Sequence, residues 1–370
     1  MPHTIRVPAR LIVGPGSLSA LGEGVGSLGK RPLVVTGRKG LRQAGVTERV
    51  VSLLTAAGLR PTLFEEVESE PSCETCDHVR DTLRRGDCDV VVGLGGGSAI
   101  DAAKVAAGLA GEESPTQEFW NDRKPTCRAL PFVAVPTTSG SGAEATTNAV
   151  ITNPRTPAKK SIRSDSFLAK LVVVDPVLTL SVPQAVTAYT GMDALVQGIE
   201  SFTSRHACPV TDAWSFEAVR LLAGSVANAW RNGADLTART DAAYGSLLAG
   251  LALSNARLGL VHGLAHPVGA RWNIPHGLVC AVLMPPVMRF NRESCAAKYA
   301  RLDALLGGDA VAFVERLMRE LAIPRDFRTF RVKPELLPLI VEESLPSGSL
   351  QANPREATRE DCTDILKALL

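Results

Sequence analysis

Short apolar runs alternating with helical stretches fill the first half of the chain, and this alternation restricts its fold more than any other feature. The runs are "RPLVVTG" (31–37), "PTLFEEV" (61–67), "DVVVGLGGGS" (89–98), "ALPFVAVPTT" (129–138) and "KLVVVDP" (170–176). Between them, "GVTERVVSLLTAAG" (45–58), "CETCDHVRDTLRRG" (73–86) and "AIDAAKVAAGLA" (99–110) have helical spacing. Runs that are apolar throughout suit strands buried on both faces. The β-α-β-α order then argues for a parallel sheet with helices on both sides. After Pro183 the texture changes. "DAWSFEAVRLLAGSVANAW" (212–230) and "DAAYGSLLAGLALSNARLG" (241–259) carry helical periodicity and no strand-like alternation. The expectation is an α/β domain over 1–182 and an all-α domain over 183–370. Their join near Leu180–Pro183 is short, which predicts a cleft between the two.

Composition narrows the class. A chain of 370 residues with 45% hydrophobic and 21% charged residues suits a globular protein with a sizeable core. A net charge of +2 gives no reason to propose nucleic acid or an anionic membrane as partner. There is no apolar run long enough for a membrane span. "MPHTIRVPAR" lacks the apolar core of a signal peptide, so a cytoplasmic location is predicted. The eight cysteines are scattered, and Cys73 and Cys76 form a lone CxxC that reads as free thiols in or near a helix.

"GLGGGSAIDAAK" (93–104) places Gly95, Gly96, Gly97 and Ser98 between a strand and a helix. Glycines there let the backbone approach a phosphate, and the helix start supplies N–H groups and a positive dipole end. The pattern is neither GxGxxG nor a Walker loop. "PTTSGSGAEAT" (136–146) is a second loop after a strand, and its Thr137, Thr138 and Ser139 hydroxyls are candidates for the same site.

Three of the six histidines, His262, His266 and His276, fall within "VHGLAHPVGARWNIPHG" (261–277). His262 and His266 share a helical face by their i, i+4 spacing, and His276 can return from the next loop. Neutral imidazoles are common ligands for zinc and also suit iron. A carboxylate is wanted to balance the charge. "TGMDALVQGIE" (190–200) offers Asp193, with Gln197 one turn on.

"GGGSAIDAAK", "PTTSGSGAEAT", "TGMDAL", "NARLGLVHGLAHPVGA" and "PHG", in this order, resemble the iron-containing (group III) alcohol dehydrogenases, of the dehydroquinate synthase-like superfamily. The resemblance covers nearly the whole chain. It implies a Rossmann-like dinucleotide-binding domain followed by a helical domain, with the active site in the cleft. It implies Asp193, His262 and His276 as metal ligands, with Gln197 at a fourth ligand position, and His266 as a proton-relay residue near the nicotinamide. It assigns Gly95, Gly96, Gly97, Ser98, Asp101, Thr137, Thr138, Ser141, Asn148, Val150, Lys159 and Leu180 to the cofactor, with Asn148 also facing substrate. A homodimer or larger homo-oligomer follows by the same route.

Two departures carry information. Most iron-dependent members have histidine where this chain has Gln197, a weak neutral ligand, so zinc gains on iron as the divalent metal. NAD-preferring members often carry an Asp where "PLVVTG" ends in Gly37, and Arg38 and Lys39 follow it here. That leaves room and positive charge for a 2′-phosphate and favours NADP(H) over NAD(H). The expected reaction is hydride transfer between nicotinamide and a small alcohol or aldehyde whose oxygen a metal polarises. Arg257, where many members have a small residue, points to an anionic substrate. Maleylacetate reductase-like and phosphonoacetaldehyde reductase-like enzymes are the alternatives, with a dehydroquinate synthase-like lyase behind them.

Overall fold

The computed structural model describes residues 3–153, 155 and 158–370. The chain divides into two compact units, Arg6–Val182 and Pro183–Leu370, the latter joined by residues 3–5.

The first unit is built on a six-stranded, wholly parallel sheet. Its strands are β1 (Leu11–Val13), β2 (Pro32–Gly37), β3 (Thr62–Val67), β4 (Val90–Gly95), β5 (Phe132–Pro136) and β8 (Leu171–Val174). They lie in the order β1-β8-β5-β4-β2-β3. Two further strands, β6 (Asn148–Asn153) and β7 (Ala158–Arg163), form a separate antiparallel pair. Side chains alternate across the sheet. Val34, Val90, Val92, Leu94, Val133, Val135, Leu171 and Val173 share one buried cluster with Val46, Val50 and Leu54 of helix α1 (Val46–Ala56). The opposite face meets α3 (Gly97–Gly108). A Cβ on Gly93 would stand 2.9 Å from that of Ala103, so this strand glycine marks the helix's close approach. Between these helices in sequence, α2 (Cys73–Arg85) buries Cys76, Val79 and Leu83 and is capped by Ser72, which accepts from Thr75 N.

Strand β1 and the β6–β7 pair were not anticipated. β1 has only three residues and lies at the sheet edge, too short for a periodic signal. Cys73 and Cys76 are free, buried thiols.

The second unit has helices and loops and no strand among its described residues. Its core packs α4 (Gln184–Thr203), α5 (Pro209–Arg231), α6 (Leu236–Ala256), α7 (Leu260–Trp272) and α8 (His276–Asn291) around Met192, Leu195, Val196, Leu222, Val261, Leu264, Val279 and Leu283, all fully buried. α6 and α7 meet at a 104° bend. No single described helix is long and apolar enough to cross a membrane.

Candidate metal centre and dinucleotide site

Three helices of the second unit bring the chemistry together. α4 carries Asp193, Gln197 and Glu200 on one face through i, i+4, i+7 spacing. α7 carries His262 and His266, and α8 opens on His276. Gly277 lets α8 lie directly on α4, because a Cβ there would stand 2.1 Å from the Tyr189 carbonyl oxygen. That approach sets His276 beside Asp193.

Asp193 Oδ1 lies 3.3 Å from His262 Nε2 and 3.8 Å from His276 Nε2. Cys280, one turn beyond His276, places Sγ 3.6 Å from His276 Nε2 and 3.8 Å from His262 Nε2. One donor atom from each of the four lies within 4.8 Å of every other. Asp193, His262 and His276 are the donors expected from the sequence, and Cys280 joins them in the structure. Its i, i+4 relation to His276 on a continuous helix was the signal that could have found it.

Glu200 is a second omission. It is 3% exposed, and its Oε2 lies 2.6 Å from His262 Nδ1, while Oε1 accepts from Val261 N at 2.7 Å. A carboxylate on Nδ1 fixes the ring so that Nε2 turns to the cluster, the outer-shell arrangement usual for metal-binding histidines. Burial opposes charge on Asp193, yet the His262 hydrogen bond and the His276 and His262 charges hold its carboxyl below its ordinary pKa. Burial likewise opposes charge on both imidazoles. The Cys280 sulfur and Asp193 outweigh it and raise His262 and His276 above their ordinary value. The cluster thus draws positive charge, and its donors, one carboxylate, two imidazoles and one thiol, fit a divalent transition metal.

Gln197 is 3% exposed, and its Oε1 has no hydrogen-bond partner. His266 stacks on His276 with ring centroids 4.9 Å apart and planes at 12°. Arg257 ends α6 in an unusual backbone conformation, φ 64° and ψ −172°. It is exposed, and its carbonyl accepts from Ser201 Oγ at 3.2 Å. Burial first, and then the Arg257 charge, lowers the pKa of His206.

The first unit gathers most of the proposed cofactor residues around one point of its sheet. Strand order reverses between β2 and β4, whose register pairs Pro32 with Val90 and Val35 with Gly93. Gly37 and Gly95 therefore end adjacent strands at the topological switch, where parallel sheets bind ligands. Gly95 has φ 150°, and a Cβ on it would lie 2.8 Å from Ala99 Cβ. α3 begins at Gly97 with no side-chain cap, leaving its start bare as anion-binding helices do. Thr138 and Ser141 stand against this turn, since Cβ atoms on Gly96 and Gly97 would meet their hydroxyls at 3.4 and 2.8 Å. Thr137 N donates to Gly95 O at 2.9 Å. Ser98 Oγ accepts from Glu70 N at 3.1 Å.

Other residues of that set make structural contacts. Asp101 Oδ2 accepts from Val150 N at 2.9 Å and so ties α3 to β6. Lys104, missed in the sequence, is fully buried and donates to Ala143 O (2.7 Å), Thr146 Oγ1 (2.9 Å) and Asn148 O (2.7 Å). Lys159 pairs with Glu70. Leu180 follows the last turn of helix, Pro176–Thr179, and is half-buried. Arg38 is exposed with Nε donating to Glu66 O at 3.3 Å, and Lys39 is exposed.

Comparison with known proteins defines the class: an oxidoreductase acting on CH–OH groups. Residues 8–176 match the iron-containing alcohol dehydrogenase family, and residues 187–370 match its C-terminal domain, described as "Fe-containing alcohol dehydrogenase family, C-terminal". The chain belongs to the iron-containing alcohol dehydrogenase family. It is 36% identical to the 1,3-propanediol dehydrogenase of Klebsiella pneumoniae, over 98% of this chain and 97% of that protein. The crystal structure of a 1,3-propanediol oxidoreductase superposes with a TM-score of 0.96 at 35% identity, covering 100% of both chains. The sulfoacetaldehyde reductase of Bifidobacterium kashiwanohense, solved in complex with NAD+, gives a TM-score of 0.92 at 26% identity, covering 100% of this chain and 99% of that one.

Proposed function

We propose that this oxidoreductase transfers hydride between NADP(H), preferred over NAD(H), and a small anionic aldehyde or its alcohol. In this reading Asp193, His262 and His276 hold a divalent metal. The observation that carries the proposal is the meeting of those three donors from three helices around one point.

A divalent cation there supplies Lewis acidity toward the substrate oxygen. The side chains do the rest. Glu200 holds His262 in one tautomer through Nδ1, leaving Nε2 as a donor. Asp193 stays ionised against its burial. His266, stacked on His276, carries the proton lost or gained by the substrate oxygen. Gly95–Ser98 and the Thr138 and Ser141 hydroxyls receive the pyrophosphate. Gly37 lacks the carboxylate that repels a 2′-phosphate, and Arg38 and Lys39 add positive charge beside it. Arg257 supplies the charge complementary to an anionic substrate, in line with the sulfoacetaldehyde reductase relative. The backbone it adopts, sterically costly for arginine, supports a functional rather than incidental placement. The working form is a homodimer or larger homo-oligomer, which light scattering reads directly.

The test mixes purified protein with NADPH or NADH and a panel of neutral and anionic aldehydes, beside elemental analysis. Reduced-nicotinamide absorbance is expected to fall, faster with NADPH and with anionic aldehydes, in protein carrying a divalent metal. Asp193→Ala is expected to lose the metal and on the order of 100-fold or more in kcat/KM, beyond the loss typical of an outer-shell partner. A metal-free wild type, or a variant that reduces aldehydes as well as wild type, refutes the metal's role.

A further inference from the structure

We infer that Cys280 is a protein ligand of the metal centre, completing a set of one carboxylate, two imidazoles and one thiolate. The inference deepens the proposed function and rests on its reading of the cluster as a cation site. Asp193 Oδ1, His262 Nε2, His276 Nε2 and Cys280 Sγ are separated by 3.3 Å (Asp193–His262), 3.8 Å (Asp193–His276), 3.8 Å (Cys280–His262) and 3.6 Å (Cys280–His276). N–H···O bonds usually span about 2.7–3.2 Å, so the Asp193–His262 contact at 3.3 Å is a long hydrogen bond and the Asp193–His276 pair at 3.8 Å is none. Four donors each about 2.0–2.3 Å from one tetrahedral ion stand about 3.3–3.7 Å apart. These four separations, 3.3–3.8 Å, lie near that range, and all six fall within 4.8 Å. Glu200 supplies the contrast within the same network, because its 2.6 Å contact with His262 Nδ1 is a hydrogen bond and turns Nε2 inward.

The position of Cys280 follows from chain geometry. It lies one helical turn after His276 on α8, with no exposed surface, and α8 is pressed onto α4 at Gly277. Cys280 packs in the apolar core of the helical unit, yet its Sγ also faces two imidazole Nε2 atoms, contacts that apolar packing alone does not explain. As a thiolate it balances the second charge of a divalent ion that Asp193 alone leaves half-compensated. A soft sulfur ligand shifts preference from iron(II) toward zinc or cobalt. Gln197 is the competing fourth donor, since its buried Oε1 is unpartnered and it lies one turn after Asp193.

X-ray absorption at the metal edge of zinc-loaded wild type separates these readings without any variant. One sulfur scatterer at about 2.3 Å beside nitrogen and oxygen near 2.0 Å is the expected result. Cobalt(II)-loaded wild type should also show a thiolate-to-cobalt charge-transfer band in the near ultraviolet. That band should vanish in Cys280→Ser and persist in Gln197→Ala. Zinc affinity, measured by competition with a chromogenic chelator, should fall at least tenfold in Cys280→Ser. A zinc shell of nitrogen and oxygen only, with no cobalt charge-transfer band in wild type, overturns the assignment of Cys280 and leaves the cation site standing. Failure of the wild type to bind either metal overturns the cation site itself.

Discussion

At the scale of single residues, Arg257 and Glu144 show how backbone conformation and burial strain this chain. Arg257 has φ 64° and ψ −172°, a region nearly reserved for glycine. Such a conformation costs about 1–3 kcal/mol, and the conformational freedom of glycine takes back about 0.5–1 kcal/mol. Arg257→Gly is therefore expected to raise unfolding stability by about 1 kcal/mol. It should lower kcat/KM for anionic aldehydes more than for neutral ones. Urea denaturation and paired kinetics read the two effects, and equal losses on both substrates remove the arginine from substrate recognition. Glu144 is strained by burial, which lifts its pKa from 4.5 to about 7, with a backbone hydrogen bond and then the Lys104 charge only partly offsetting the rise. A raised carboxyl pKa favours folding while the group is protonated. Its contribution is complete below about pH 4.5 and is lost as pH rises through about 7, at a cost of about 3 kcal/mol. Thermal melts of Glu144→Gln across that window should show a shallower decline than wild type, and parallel curves would contradict the assignment.

At the scale of elements, what could be read in advance depended on whether a signal was local. Strands β2, β4, β5 and β8 were legible because each is an apolar run between breakers. β6 and β7 were not, since "NAVITN" and "AKKSIR" mix polar with apolar residues, lack a continuous apolar run and are held by pairing with each other. At the candidate site, His262, His266 and His276 stand out as rare residues close together. Cys280 and Glu200 do not, because one is a cysteine among eight and the other an acid in an ordinary helix. Only the crossing of α4, α7 and α8 reveals what they face. Gly277 controls that crossing, since a Cβ would fall 2.1 Å from the Tyr189 carbonyl oxygen, a backbone atom that cannot move aside cheaply. Overpacking of this kind costs about 1–3 kcal/mol and sometimes more. Gly277→Ala should destabilise the protein by about 3 kcal/mol in urea and weaken zinc binding, because it lifts His276 and Cys280 away from Asp193. Unchanged stability and affinity would mean that α8 does not lie on α4 as described.

At the scale of the whole molecule, the two units have separate hydrophobic cores, and the proposed ligands divide between them. All of the proposed metal donors, and Glu200 behind them, lie on α4, α7 and α8 of the helical unit. The glycine turn and the strand ends at the switch point lie in the α/β unit. A ligand that binds only the folded state adds RT ln(1 + [L]/Kd) of stability, about 2.7 kcal/mol at a hundred times Kd. Local opening of the bound segments is opposed by the same linkage. Zinc added to chelator-stripped protein should therefore slow amide hydrogen exchange first in residues 184–203, 260–272 and 276–291, with little change around Gly95–Ser98. NADP+ added alone should give the reverse pattern, protecting the starts of α3 and of the segment after Gly37. The two maps need no catalysis, so they test ligand placement independently of substrate. Zinc protection centred on Cys73 and Cys76 instead would move the metal to the α/β unit. Uniform protection by either ligand would mean that binding is coupled across both cores rather than housed in one.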